Sequence, residues 1–296
     1  MIKNYFKIAF RNLWKHRVFS FINVLGLTVG MTACFLIFLY VRFELSYDSF
    51  HNKGDRIYRI VSDIKTPTEV IKASGPSWAV PPNLKSEFPE VESAIRLSGG
   101  SLLVRKGEIK FQEENSMFAD SAFFQVFDFK LLSGNPKTVL SAPLSIVFTE
   151  SAAKKYFGAA NPVGQTLLLT GDGFPAKVTG LMKDMPENSQ VKADMLVSMS
   201  TITQKFNPGL DAQWGNYGAS AYLLLKPGTN VNALQAKFPA FLEKRNGTEM
   251  KVLHHPNDLA FSSPLFEPPA NRLPWRTIAE HFNGRFIEDH GLSGVS

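Results

Sequence analysis

The chain has 296 residues, with 32 basic and 26 acidic side chains and a formal charge of +6. That length suits one or two domains with a real core. A hydrophobic content of 44% against 20% charged excludes a disordered chain, and one cysteine excludes a disulfide scaffold. A pI near 9.3 would suggest nucleic acid, but the charge is local. Lys3, Lys7, Arg11, Lys15 and Arg17 lie in the first 17 residues, which hold no acid. Without those five, 27 basic residues face 26 acidic ones, so the body is neutral and a nucleic-acid partner is not expected.

Ile2, Tyr5, Phe6, Ala9, Phe10 and Leu13 recur at helical spacing over residues 2–15, while Lys3, Lys7, Arg11 and Lys15 step by four along another face. This pattern predicts an amphipathic helix over residues 1–17, lying on the cytoplasmic leaflet with its cations toward anionic lipid. Val18–Val41 follows, 24 residues with no formal charge. As a helix it reaches ~36 Å, enough to cross a hydrocarbon core of ~30 Å. A cleaved signal peptide would carry a shorter apolar region ending in small residues, whereas this run ends in Phe38, Leu39 and Tyr40. Five cations precede the run, while Arg42 follows it among Glu44 and Asp48. The bias places the N-terminus in the cytoplasm and residues after about 42 outside it. Within the run, Gly26, Gly30 and Ala33 form a small-residue stripe, and Asn23 adds an amide that needs a partner in lipid; these four are the helix-packing candidates.

From residue 42 to about 251 the chain reads as a mixed α and β domain of the α+β class. Strands are expected at Arg56–Ile64, Val91–Leu97, Leu102–Lys106, Ile109–Gln112, Ser145–Phe148, Ala193–Met199 and Ser220–Lys226. Gln165–Thr170 and Ala176–Leu181 flank a Gly-Asp-Gly turn and read as a hairpin. A short helix is expected after Pro81-Pro82, and a buried one over Ser121–Phe127. Thr149 caps a helix Glu150–Phe157 that stops at Gly158. Asn230 caps another over Val231–Glu243, where Pro239 predicts a kink or an early end.

Several of these stretches carry a family pattern. ELSYDSFHNKGDRIYRI (44–60), SMFADSAFFQVFDFKLLSGNPKTVL (116–140), FTESAAKKYFGAANPVGQTL (148–167), VTGLMKDMPENSQVKADMLVSM (178–199) and WGNYGASAYLLLKPGT (214–229) resemble the MacB-like (FtsX-type) ABC transporter permeases. The resemblance covers residues 1–250. It implies one transmembrane helix, a two-lobed α/β extracytoplasmic core, and then three further transmembrane helices. It implies a bacterial inner-membrane permease subunit, its main domain periplasmic or extracellular, coupling ATP hydrolysis by a partner to movement of that domain in export or efflux. The implied partners are an ABC ATPase subunit, a second permease copy, a periplasmic adaptor and membrane lipid. ATP would sit on the ATPase, leaving no cofactor in this chain. The alternative is a stand-alone, membrane-anchored binding or sensor domain.

Residues 252–296 depart from the pattern, with four of the six histidines and five of the eighteen prolines after residue 250. They read as an atypical tail, disordered or frame-shifted, which would make this chain the first part of a longer protein. Enzyme motifs fail. There is no phosphate-binding G-x-x-x-x-G-K-[ST], no H-E-x-x-H and no G-x-S-x-G, so neither a catalytic nor a metal site is expected. Asp184-Met-Pro-Glu-Asn-Ser reads as a turn, and the Phe-rich stretch Phe118–Phe129 as core rather than a substrate groove.

Overall fold

The apolar run lies inside a longer helix. The computed structural model describes residues 2–65, 70–253 and 258–264, which form two units divided after Tyr47. In the first unit, α1 (Ile2–Lys15) and α2 (Arg17–Glu44) are separated by His16, whose φ of −111° and ψ of 42° leave the helical region. The 28 residues of α2 give ~42 Å of helix. None is buried, and the mean hydropathy of its most apolar window is 2.3. Thr28 and Thr32 donate their hydroxyls to the carbonyls of Val24 (2.7 Å) and Thr28 (2.8 Å), so neither needs an outside partner.

The second unit begins at Asp48 and is a mixed α/β domain around an eleven-stranded sheet. In chain order the strands are β1 (Ile57–Lys65), β2 (Val70–Ala73), β3 (Val91–Lys106), β4 (Ile109–Ala119), β5 (Leu131–Ser133), β6 (Ser145–Thr149), β7 (Thr166–Leu169), β8 (Phe174–Met182), β9 (Met195–Ser198), β10 (Ser220–Leu225) and β11 (Asp258–Pro264). The helices are α3 (Val80–Glu87), α4 (Phe123–Val126), α5 (Glu150–Phe157), α6 (Met199–Thr201), α7 (Val231–Gln235) and α8 (Phe238–Leu253).

The sheet runs β11-β1-β10-β3-β4-β9-β6-β8-β5, with β2 on β1. Strand β7 pairs with both β3 and β8, so β3, β4, β9, β6, β8 and β7 close into a ring. The register makes that closure consistent. Val104 faces Leu169, Leu167 faces Ala176, Val178 faces Ile146, Ile146 faces Val197, and Val197 faces Phe118. With a side-chain period of two, these residues all point inward and form one buried cluster, closed by Ala152, Tyr156 and Phe157 of α5. Outside the ring, β1, β10 and the first half of β3 present two faces. Ile57, Ile95 and Leu224 pack on Phe123, Val126 and Phe127, while Ile60, Leu223 and Leu225 are covered by Leu84, Phe238 and Phe241. The ring and this open part are the two lobes, and they share β3.

Local signals set the helix ends. The Thr149 side chain accepts the Ala152 N–H at 3.2 Å, and Gly158 ends α5 with a φ of 57°. The Asn230 side chain accepts the Ala233 N–H at 3.0 Å. The expected helix 231–243 is two helices: α7 ends at Gln235, and Pro239 falls in the first turn of α8, where its missing N–H costs nothing. Two expected strands, 91–97 and 102–106, are the single strand β3. Its ladder to β4 continues past Gly99-Gly100 with a bulge before Leu102, and β4 runs to Ala119. The Phe-rich stretch is core: Phe123 and Phe127 are fully buried. Of residues 252–296, Leu253 ends α8 and β11 pairs antiparallel with β1; residues 254–257 and 265–296, including the four C-terminal histidines, lie outside the described residues.

Candidate functional site

Nine residues, Asp48–Arg56, form the entry to the domain directly after the first unit, and five of them, Asp48, His51, Asn52, Lys53 and Arg56, are bonded to residues distant in the chain. Asp48 adopts a φ of 53°, a left-handed conformation that Asp tolerates. Its N–H donates to Asn188 O at 2.8 Å, and its buried carboxylate accepts the Ser189 hydroxyl (2.9 Å) and the Gln190 N–H (3.1 Å). His51 is 6% exposed, with ring centroids of Phe50, Phe129 and Phe127 at 4.1, 5.1 and 5.3 Å. Its Nδ1 accepts the Asp128 N–H at 2.9 Å, which assigns the neutral ring's proton to Nε2. Burial lowers the His51 pKa to about 4; Asp128 opposes that shift and Lys53 adds to it.

The next residues repeat the pattern. The Asn52 N–H donates to the Asp128 carboxylate at 2.7 Å. Lys53 reaches Gln125 O at 2.5 Å and Asp128 at 3.3 Å. Arg56 donates to Glu92 and to Leu225 O, each at 2.8 Å. The segment is thereby fastened to the 188–190 turn, the α4–β5 connection, β3 and β10. The buried bonds of the Asp48 carboxylate contribute ~1.5–3 kcal/mol each and the exposed ones of Asn52, Lys53 and Arg56 less, so the segment is held most firmly at Asp48.

A second polar cluster centres on Arg96 of β3, 6% exposed. Its Nε and Nη2 clamp the Asp120 carboxylate at 2.9 Å each, and Nη1 donates to Asp211 at 2.5 Å and to Trp78 O at 3.2 Å. Its guanidinium also lies 5.6 Å from the centre of the Trp78 ring. Burial works to lower its pKa, but the two carboxylates overcome this and raise it. The third is Glu113, buried between the Tyr156 hydroxyl (2.6 Å) and Lys155 Nζ (2.9 Å); burial and then Glu113 raise the Tyr156 pKa. In each cluster the named polar groups are hydrogen-bonded, and Arg96 and Glu113 each sit against opposite charge, which suits a scaffold rather than a reacting centre. Among the described residues no group of three or more His, Cys, Asp or Glu could hold a metal.

The residues singled out from sequence lie elsewhere. Asn23, Gly26, Gly30 and Ala33 occupy one arc of α2 and are exposed; a Cβ added at either glycine meets nothing within 4 Å. Lys7, Arg11 and Lys15 of α1 and Arg17 of α2 are exposed; Lys3 belongs to α1, but its side chain lies outside the described residues. The polar pins escaped sequence reasoning. The family motifs contain several of them, among them Asp48 and His51 (44–60), Asp120 and Asp128 (116–140) and Lys155 and Tyr156 (148–167), without marking any as a pin. Asp184 in the expected turn has a further role: it accepts the Ser151 N–H (3.0 Å) and hydroxyl (2.6 Å) at the start of α5. Burial opposes its ionisation, yet those bonds hold its pKa below the usual value.

Residues 20–241 match the family model described as the MacB-like periplasmic core domain. A crystal structure of a domain assigned to a permease protein from Porphyromonas gingivalis is similar at a TM-score of 0.58 and 24% identity, over 74% of this chain and 95% of that one. At that identity it shows a shared fold. Weaker likenesses are to the periplasmic region of MacB from Actinobacillus actinomycetemcomitans (TM-score 0.49, 17% identity, 78% of this chain and 94% of that one) and to the extracellular domain of the noncanonic ABC-type transporter YknZ from Gram-positive bacteria (TM-score 0.47, 13% identity, 70% and 100%). No match to a curated protein was found.

Proposed function

Since the chain belongs to the MacB-like periplasmic core domain family of ABC transporter permeases, we propose that it couples ATP hydrolysis by a separate ATPase subunit to movement of its extracytoplasmic domain during export. The observation that carries this reading is the family match itself, which takes in most of α2 and the domain as one continuous stretch, 20–241. In this reading α2 crosses the bacterial inner membrane with α1 in the cytoplasm, and the domain from Asp48 onward works outside. ATP is held by the partner ATPase, and this chain carries no catalytic residue. A second permease copy packs on the Asn23–Ala33 arc, and an adaptor protein meets the domain.

The pinned entry segment supplies the mechanical element. A displacement of α2 reaches Asp48 through the backbone, and the bonds of Asp48, His51, Lys53 and Arg56 distribute it to the 188–190 turn, the α4–β5 connection, β3 and β10. The test is to express the full chain with the ABC-type ATPase subunit of its own organism and trap the ATPase with vanadate. Hydrogen exchange is then compared at 48–56 and 188–190. The reading expects the ATPase to be retained on membranes only with this chain, and exchange at both segments to change on trapping. An ATPase that is not retained, with exchange unchanged, would instead support a stand-alone anchored binding or sensor domain.

A further inference from the structure

Helix α1 has no role in the coupling just described, yet it is the most polarised of the described helices. Along its 14 residues, Lys7, Arg11 and Lys15 step by four on one arc, all exposed. Tyr5 (74% exposed) and Leu13 (51%) lie on the opposite arc, Phe10 (65%) flanks it, and the Phe10 and Trp14 rings pair at 6.1 Å. The first acid in the sequence is Glu44. One residue, His16, separates α1 from α2, so the C-terminal end of α1 stays within a few ångströms of the start of a helix long and apolar enough to cross a bilayer.

We propose that α1 is an electrostatic lipid anchor: it lies in the plane of the membrane, with Lys7, Arg11 and Lys15 on anionic headgroups and Tyr5 and Leu13 below them. The occupant is a lipid leaflet rather than a protein for three reasons. Lysine is depleted from protein–protein interfaces, whereas here cations form a whole face. A second copy would set the same cations against themselves. And the break at His16 lets the chain turn from the surface into α2 without unwinding either helix. Large aromatic and aliphatic residues opposite a basic face are what an interfacial helix needs, and each cation contributes about a fivefold preference for an anionic surface. Seated in this way, α1 fixes the depth and rotation of the first turn of α2. This inference stands whether or not the chain couples to an ATPase.

The test uses the full chain with Cys34→Ser and Asn12→Cys, a nitroxide on Cys at position 12, and nanodiscs of phosphatidylcholine with or without a quarter of phosphatidylglycerol. Collisional accessibility to oxygen, against a neutral nickel chelate, reports immersion. Phosphatidylglycerol should raise the oxygen-to-nickel ratio several-fold, and high salt should reverse the rise. Combined Lys7→Gln, Arg11→Gln and Lys15→Gln should shift the seated-to-free ratio about 100-fold and remove the lipid dependence, while Lys7→Arg with Lys15→Arg should keep it. Equal immersion in both lipids would overturn the proposal, as would a lipid dependence that survives the triple substitution. Immersion that rises with protein concentration would assign the face to a second copy, and immersion appearing only on addition of the ATPase would assign it to that subunit.

Discussion

In α2 no side chain is buried, whereas in the domain Phe123, Phe127, Phe148 and Phe238 are wholly enclosed. Among the described residues from Asp48 onward, the exposed large apolar side chains are Ile109, Phe111, Leu132 and Leu168, none above 45%. The same kinds of residue therefore meet two different solvents. The domain removes its apolar surface from water by closing β3, β4, β9, β6, β8 and β7 into a ring and covering the open sheet with helices. Helix α2 contains all its backbone bonds within itself and leaves its apolar surface outermost, which is stable only where the surroundings are also apolar. Substitutions should consequently act through tight internal contacts in the domain and through outside partners in the helices.

Glycine substitutions test this contrast most strongly. A Cβ at Gly75 would overlap the carbonyl oxygen of Ala219, a backbone atom that cannot swing aside. Gly75→Ala should destabilise the domain by about 4 kcal/mol or more, read by pulse proteolysis of the full chain in detergent. Gly26→Ala, with nothing within 4 Å, should leave that measurement unchanged. Next comes Arg96→Met, which leaves Asp120 without its clamp and should cost ~3–5 kcal/mol by the same assay.

The effect of His51 depends on pH. Folded His51, with a pKa lowered to about 4, holds its proton less tightly than in the unfolded chain, near 6.5. Between those values the unfolded chain binds the extra proton, so acid favours unfolding. The His51 contribution is complete above about pH 6.5 and is lost as the pH falls through 4, a total of roughly 3 kcal/mol. His51→Gln should flatten that slope in denaturation curves taken across the window. Asp184→Ala removes two acceptors from the start of α5 and should cost ~1 kcal/mol. Gly30→Leu should have the smallest effect on the fold, within ±0.5 kcal/mol. Its effect should appear instead in cross-linking between copies through the α2 arc.

Features set by neighbours in the chain were legible in the sequence. Thr149 and Gly158 bound α5, Asn230 starts α7, and Pro239 marks the break before α8, because caps and proline geometry act within one turn. The apolar span within α2, 24 of its 28 residues, was legible because hydropathy is additive along a helix. What escaped depends on distant partners. Gly99-Gly100 looks like a break between strands, but the ladder to β4 carries β3 through it. Ring closure rests on Val104 meeting Leu169 and Arg105 meeting Leu168, a pairing with no local signature. The pins span still longer separations: Arg96 meets Asp211 across 115 positions, and His51 meets the Asp128 N–H across 77. Each of those residues, read alone, is an ordinary polar residue in a strand or turn.

In the proposed arrangement α2 separates a cytoplasmic α1 from a domain outside the membrane. Single cysteines at Lys7 and at Glu108, the latter on the exposed β3–β4 turn, test this directly in a Cys34→Ser full-length chain. In intact spheroplasts a membrane-impermeant maleimide should label Glu108→Cys at once and Lys7→Cys only after the membrane is permeabilised. Labelling of Lys7→Cys in intact spheroplasts, or protection of Glu108→Cys, would contradict the account.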